Sequence, residues 1–524
     1  MLWPASPPYS GAVRQPLRSS LSQSLKIGSH VLNGFIHTAR VDLYRSRGVP
    51  YPALQTSGTV RYKLDNPWPQ PSPISKNMPY AVLHVAGDEL KEFLATIVAR
   101  FQRQLKFSWL SAAQYLRNKP HLDCPDDATF CRYMTESVYT YFLTDTLDAD
   151  DREILEKNGI SSDSVHKSDL APVSTVDPFP GLYCTGSVCY FRETSSGTFE
   201  IIGIAMMDKQ FRMGELLRPS DGNSWLRAKM HVLQGATYLS LFVTHPKCHF
   251  PMDAVIAVTR TLLPKEHPIA KLLEPHMYLQ LPLDYSVLHI KNGPGYNDPM
   301  LYYTAFSGRG ASQYRLFEYS FAGLPGHAAF PPYTFGHLLD SRKTDYLAYL
   351  RGYYDVILGF VREVVADVEL DDVVLEWAQQ CAHYSRGFGA PGGTFDKEQL
   401  ADRLAIIIWN CSVVHSADHR EFYAIPMEHK PTRLRIPPPF DRSECSFDEK
   451  DLTQVDDRLR HFMWHEMYVR PWPLKQLINV NYGFTEPAMQ QANRDFIAAL
   501  TAYDTSLTDN KYAPLGELAT SIQW

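Results

Sequence analysis

The apolar residues of this chain keep no period at first and then settle into helical spacing. Residues 1–80 are rich in Pro, Ser and Gly and close on NPWPQPSPISKNMPY, a composition that predicts an extended N-terminal arm. After Asp88, a candidate N-cap, Leu90, Phe93, Leu94, Ile97, Val98, Phe101 and Leu105 recur three and four apart and predict a helix. CYFRE (189–193), the turn SSGT and FEIIGIAMM (199–207) read as a β-hairpin. From Trp225 onward the period is helical almost throughout, as in YYDVILGFVREVVADVEL (353–370) and ADRLAIIIWNCSVV (401–414). The second of these is apolar all round, which predicts a helix in the middle of a large domain. No internal repeat interrupts the pattern. The chain therefore reads as mainly α: an arm over residues 1–80, then one large helical domain over 81–524 carrying a small β element near its entrance.

Bulk composition narrows the function classes. The 524 residues are 44% hydrophobic and 21% charged, the balance of an ordinary globular protein with a sizeable core. A net charge of −6 gives no broad electrostatic reason to bind nucleic acid or an anionic membrane. No run approaches the roughly 18 apolar residues of a membrane span. The stretch MLWPASPPYSGAVRQPLRSS lacks the apolar segment of a secretory signal. The eight cysteines are scattered, and the nearest pair, Cys184 and Cys189, lacks metal-knuckle spacing. Reduced, mostly buried thiols in a cytoplasmic protein are the expectation.

The candidate chemistry lies in the histidines. THPKCHFP (244–251) sets His245 and His249 four apart, which places two imidazoles on one helix face. Four-residue spacing is common among 19 histidines, so partners are needed. The apolar run at 401–414 continues as HSADHREFYAIP, where His415 and His419 repeat the spacing. Imidazoles at the end of a buried helix need a hydrogen-bond or metal partner, because leaving them unsatisfied is costly. Two pairs on two helices would form a four-nitrogen site suited to Fe, Mn, Zn or Cu. The alternative is that each pair is structural, its rings satisfied by backbone carbonyls. A third pair, His461 and His465 in HFMWH, stands among Arg458, Arg460 and Glu466, so a surface or entrance role is expected. Pro246 and Pro251 each remove a backbone donor and should disturb the helix around the first pair.

The residues around the pairs add order to spacing. WLRAK (225–229) precedes the first pair, and LLPKEHPIAKLLEPH (262–276), with His267-Pro268 and Pro275-His276, follows it. After the second pair come HREFYAIP and PTRLRIPPP (431–439). This series resembles the lipoxygenase catalytic domain over roughly residues 180–524, and more weakly back to about 80. Fungal lipoxygenases, including those that use manganese, are the more similar, because most iron lipoxygenases carry one more residue between the first two histidines. No counterpart of the small N-terminal β-sandwich of animal and plant lipoxygenases is expected.

The resemblance implies one mononuclear iron or manganese ion held by His245, His249 and His415, with His419 as fourth ligand. It implies a fifth ligand in the main-chain carboxylate of Trp524, once Tyr512 and Leu515 are matched to the family's terminal pattern. Trp524 is bulkier than the family's aliphatic terminus, and Ile522 stands two residues earlier. The activity implied is insertion of dioxygen into a polyunsaturated fatty acid or similar skipped diene, giving a hydroperoxide. In it the metal and its hydroxide, with no other catalytic group, remove a hydrogen atom between two double bonds. A position near Ser286 or Val287 corresponds to one that influences where oxygen enters.

Rival readings remain open. A specialised relative of the same fold would isomerise a hydroperoxide, or oxidise or cyclise a polyene secondary metabolite. A catalytically inert lipid-binding protein would keep only the cavity. A zinc hydrolase fits less well, because HPKCH lacks the glutamate of a zinc-peptidase helix. FSGRGASQYRL and SRGFGAPGG lack the strand-to-helix context of a phosphate loop. Cys248, beside His249, lacks the third orienting group of a nucleophilic thiol and reads as a core cysteine.

Overall fold

The computed structural model describes residues 95–96, 111–119, 121–195, 197–280, 283–284, 305–327, 330–336, 338–339, 344–385, 388, 395–443, 445–507 and 511–523. The arm at 1–80 lies outside the described residues, as does the helix expected after Asp88 except for a helical pair at 95–96.

The β element is larger than a hairpin. Five antiparallel strands follow one another in chain order: β1 (Leu143–Thr144), β2 (Val165–Asp169), β3 (Gly186–Glu193), β4 (Phe199–Met207) and β5 (Met213–Leu217). The expected hairpin is the β3–β4 pair, in register at Cys189↔Ile204 and Tyr190↔Gly203, then shifted to Phe191↔Ile201. A side chain at Gly203 would meet the Leu217 carbonyl of β5, so a bare Cα lets β5 close up on β4. Strand β2 reads VHKSD, yet it is buried along its whole length. Its Lys167 is neutralised by Asp151 at 2.5 Å, Asp148 at 3.0 Å and Asp169 at 3.5 Å.

The helices that position the site are α1 (Gly222–Leu239), α2 (Pro246–Leu262), α3 (Gly310–Ala322), α4 (Asp345–Ala366), α5 (Asp372–Tyr384), α6 (Lys397–Trp409), α7 (His415–Ala424), α8 (Val455–Trp464) and α9 (Pro487–Ser506). Helix α6 starts on a capping box, Asp396 accepting from the Gln399 N–H and the Gln399 side chain accepting from the Asp396 N–H. It buries Leu404 to Trp409, as a helix apolar on all sides must. Helix α4 is capped by Thr344 and buries Tyr346, Leu350, Tyr353, Ile357, Val361 and Val364, the three-and-four spacing expected from its sequence. It packs against α6 on one side and α9 on another.

Three of these helices end in wide π turns: Ser240–Thr244 between α1 and α2, Asn410–Val414 between α6 and α7, and His465–Val469 after α8. Each of the first two turns delivers the first histidine of a pair: the wide turn precedes the His245–His249 interval, which itself spans one ordinary turn of α2. Pro246 enters at the first position of α2, where a missing N–H is tolerated. Pro251 lies inside α2, and the helix continues through it. Its carbonyl accepts a hydrogen bond from Ser385 Oγ at 2.9 Å.

All eight cysteines are unpaired, and six of them, including Cys184, Cys189 and Cys248, are buried. Among the described residues no helix is long and apolar enough to cross a membrane.

One close approach gives a stability prediction. A Cβ on Gly352 of α4 would clash with Cζ and the hydroxyl oxygen of Tyr503 of α9. Alanine is the better helix former by about 1 kcal/mol, but overpacking a rigid ring typically costs about 1–3 kcal/mol. Gly352→Ala is therefore expected to lower the midpoint of urea unfolding, and adding Tyr503→Leu to restore most of it.

Candidate metal centre

The two wide turns bring the two histidine pairs face to face. Coordinating atoms of His245, His249 and His415 lie within 4.8 Å of one another. Ring centroids are 4.6 Å apart for His245–His249, 4.8 Å for His249–His415, 4.8 Å for His245–His419 and 4.6 Å for His415–His419. All four imidazoles thus share one cluster. His415 is fully buried, while His249 and His419 are less than 10% exposed.

Hydrogen bonds settle how the rings point. His249 Nδ1 lies 2.7 Å from Asp284 Oδ1, and a carboxylate can only accept, so Nδ1 carries the proton. The lone pair is then on Nε2. His419 donates from Nδ1 to the Val469 carbonyl at 3.0 Å, with the same consequence. His245 Nδ1 faces Asp418 Oδ2 at 3.6 Å. The Nε2 atoms of His245 and His249 approach to 2.9 Å, so the two ring nitrogens face the same space. Two nitrogens bound side by side to one ion at about 2.1 Å would stand about 3.0 Å apart. Burial pushes the His245 imidazole pKa down, against an opposing pull from Asp418, which favours the neutral ring a metal requires. The donor set fits a borderline transition-metal ion.

The supporting residues are absent from the sequence reading. Asp418 Oδ1 accepts from the Tyr141 hydroxyl at 2.5 Å and the Tyr346 hydroxyl at 3.0 Å. Gln280 donates to the His249 carbonyl at 2.8 Å and approaches Asp284 Oδ2 at 3.4 Å, while Cys411 Sγ meets its Oε1 at 3.5 Å. Asp253, close to the same amide, is buried and near Asp284, and both effects raise its carboxyl well above the ordinary range.

Other expected residues take different places. His276 is fully buried, donates from Nδ1 to the Thr520 carbonyl at 2.6 Å and meets the Tyr482 hydroxyl at 3.0 Å. It anchors the C-terminal segment, which also reaches α7 through Ala519 N–H on Ser416 Oγ at 3.0 Å. His267 accepts from the Ile269 N–H at 3.2 Å and caps a short helix. Trp524, Ser286 and Val287 lie outside the described residues.

Of the surface or entrance role expected for His461 and His465, the surface half is corrected. Both are 4% exposed, His461 beside Trp464 and His465 stacked 4.6 Å from Tyr423. The polar neighbours that suggested exposure are each engaged by protein, Arg460 with Asp456 at 2.7 Å, Glu466 with Arg470 at 3.0 Å and Arg458 with the Lys119 carbonyl.

His245, His249 and His419 form one wall of a cavity of about 120 Å³. Its other walls include Leu241, Phe242, Phe250, Phe306, Phe317 and Trp464. The room left for a ligand beside the imidazoles is therefore almost wholly apolar.

No protein-family model matches the sequence. A polyunsaturated fatty acid lipoxygenase of Mus musculus is 25% identical over 282 residues, 48% of this chain and 39% of the relative, so the chain spans about two fifths of that protein's length. The crystal structure of coral 8R-lipoxygenase superposes with a TM-score of 0.67 at 15% identity, over 88% of this chain and 79% of that one. The manganese lipoxygenase of Gaeumannomyces graminis gives 0.65 at 14% identity, over 88% of this chain and 94% of that one. The chain has the lipoxygenase fold, mainly α with a small antiparallel sheet, as the motifs imply.

Proposed function

We propose that this protein is a mononuclear non-haem iron or manganese dioxygenase that inserts dioxygen into a polyunsaturated acyl chain or a similar skipped diene, with His245, His249, His415 and His419 as metal ligands. The observation that carries the reading is the shared wall: a cluster of imidazoles whose ring nitrogens lie within 4.8 Å of one another opens on an apolar cavity. Bound there, iron or manganese supplies one-electron oxidation of a weak C–H bond between two double bonds.

The chain's own residues do the rest. Phe242, Phe306, Phe317 and Trp464 surround the reacting hydrocarbon and keep water from it, and a dry site protects a carbon radical from side reactions. Leu241, Pro246, Phe250, Leu283, Tyr468 and Val469 complete the lining. The Val469 carbonyl fixes the His419 ring, and Asp284 fixes that of His249. A hydrolytic or phosphoryl-transfer reaction would call for several polar groups to meet developing charge, and beyond the histidines these walls offer one such side chain, Tyr468.

The test is elemental analysis of the purified protein followed by dioxygen uptake with linoleate. About one equivalent of iron or manganese is expected from a single four-nitrogen centre, together with uptake that tracks the appearance of a conjugated diene. A protein holding zinc alone, or one loaded with iron and manganese in turn that consumes no dioxygen with any polyunsaturated acid, would sink the proposal.

A further inference from the structure

The carboxylates around the four histidines are unevenly shared. His249 donates to Asp284 and His245 faces Asp418, whereas His419 donates to the neutral Val469 carbonyl. Both aspartates are buried, Asp284 at 0% and Asp418 at 3% exposure. They come from unrelated places: Asp284 lies 35 positions beyond His249, and Asp418 sits on α7 between the two histidines of the other pair. Thus the helix that carries the second pair also supplies the carboxylate behind a ring of the first.

We infer that Asp284 and Asp418 are positioning residues that make the centre favour the trivalent over the divalent ion, and that Tyr141 and Tyr346 temper this through Asp418. The inference rests on the metal-centre reading above. A carboxylate that accepts from Nδ1–H fixes the ring and makes the opposite nitrogen a stronger donor. Extra electron density and a buried negative charge both favour the more highly charged ion, since charges interact strongly where water is excluded. Asp418 is the adjustable member. Its Oδ1 takes two tyrosine hydroxyls while Oδ2 faces His245, so the hydroxyls draw charge away from the imidazole. Removing one hydroxyl should strengthen the pull of Asp418 on His245, and removing the carboxylate charge should abolish it. The two changes act on the same node with opposite sign. Residues that merely fill the core would not behave so.

The experiment is a potentiometric titration of the iron-loaded protein, followed by electron paramagnetic resonance of the trivalent ion, alongside the iron dissociation constant. Asp284→Asn and Asp418→Asn keep an acceptor oxygen but lose the charge. Each is expected to bind iron about 10–100-fold more weakly and to move the midpoint potential positive. Tyr346→Phe, which leaves the Tyr141 bond in place, is expected to move it negative. Potentials unchanged in the Asn variants, or a shift of one sign in all three, would overturn the inference while leaving the centre standing. A wild-type protein that binds neither iron nor manganese would overturn the centre itself, and the inference with it. Melting curves for each variant show whether a lost signal is only a lost fold.

Discussion

Replacing His415 by alanine is expected to strip the protein of its metal and of dioxygen uptake while leaving the fold largely intact. His415 is the member that joins the pairs. It lies on α7, yet its ring is 4.8 Å from that of His249 and 5.0 Å from that of His245, both on α2 or at its start. Without it the trio whose donor atoms lie within 4.8 Å of one another is broken, and only His419 remains from the second pair to complete the site. Loss of a residue that merely orients a ligand costs about 10–100-fold in affinity, so loss of a ligand should cost more than about 100-fold. Alanine removes a buried ring, so some stability goes with it, by the cavity argument about 2–4 kcal/mol. The measurement is metal content by elemental analysis beside a far-ultraviolet spectrum and a melting curve. A folded variant that keeps its full equivalent of metal and its dioxygen uptake would remove His415 from the site and the four-histidine reading with it.

The pairing itself was legible because two strong rules met. Burial around 401–414 follows from an apolar helix with no polar face, and imidazoles at its end must find partners. What sequence could not show is how the pairs meet. A π turn has no side-chain signature, so neither Ser240–Thr244 nor Asn410–Val414 stands out, though each rotates the following histidine toward its partner helix. Asp284 joins His249 across 35 positions, beyond the reach of any local pattern. Asp418 did carry a signal. An acid between two histidines on a helix already expected to be buried cannot stay charged without partners, and Tyr141, Tyr346 and His245 are those partners.

The sheet shows the same division. The β3–β4 hairpin alternates and turns as a hairpin should, but β2 reads VHKSD and gives no apolar run. Its charges are buried by pairing, Lys167 with three aspartates, which hydropathy alone cannot see. His461 and His465 misled for the opposite reason. Their polar neighbours do not mark exposure, because Arg458 donates to the Lys119 carbonyl and Arg460 pairs with Asp456. Polarity in a sequence predicts the need for partners, and only geometry tells whether water or protein supplies them.

Asp457→Ala is expected to be the most destabilising single change in the region of PTRLRIPPP. Asp457 is 1% exposed, on α8, and takes Arg433 Nε at 2.6 Å and Arg435 Nε at 2.5 Å. It also caps α8 by accepting from the Gln454 N–H at 3.0 Å. Through these bonds it pins the proline-rich segment, whose Arg433 reaches the Phe306 carbonyl at 3.1 Å, and Phe306 is a wall of the cavity. Removing one partner of a buried pair leaves the other charge uncompensated, typically at a cost of about 3–5 kcal/mol. Burial pushes the Asp457 carboxyl up, but the Arg433 and Arg435 guanidiniums outweigh it and hold it below the ordinary range. A carboxylate whose folded pKa is depressed stabilises fully above its unfolded value of about 3.9 and loses that contribution as pH falls through the folded one. The gap between wild type and Asp457→Ala in urea unfolding should therefore be constant from pH 8 to pH 5 and narrow below about pH 4. Adding Arg433→Met should recover part of the loss at neutral pH, because an apolar replacement removes the stranded charge. A gap that stays constant into acid would mean that shape rather than charge holds the segment, and the cavity wall would then owe its position to packing alone.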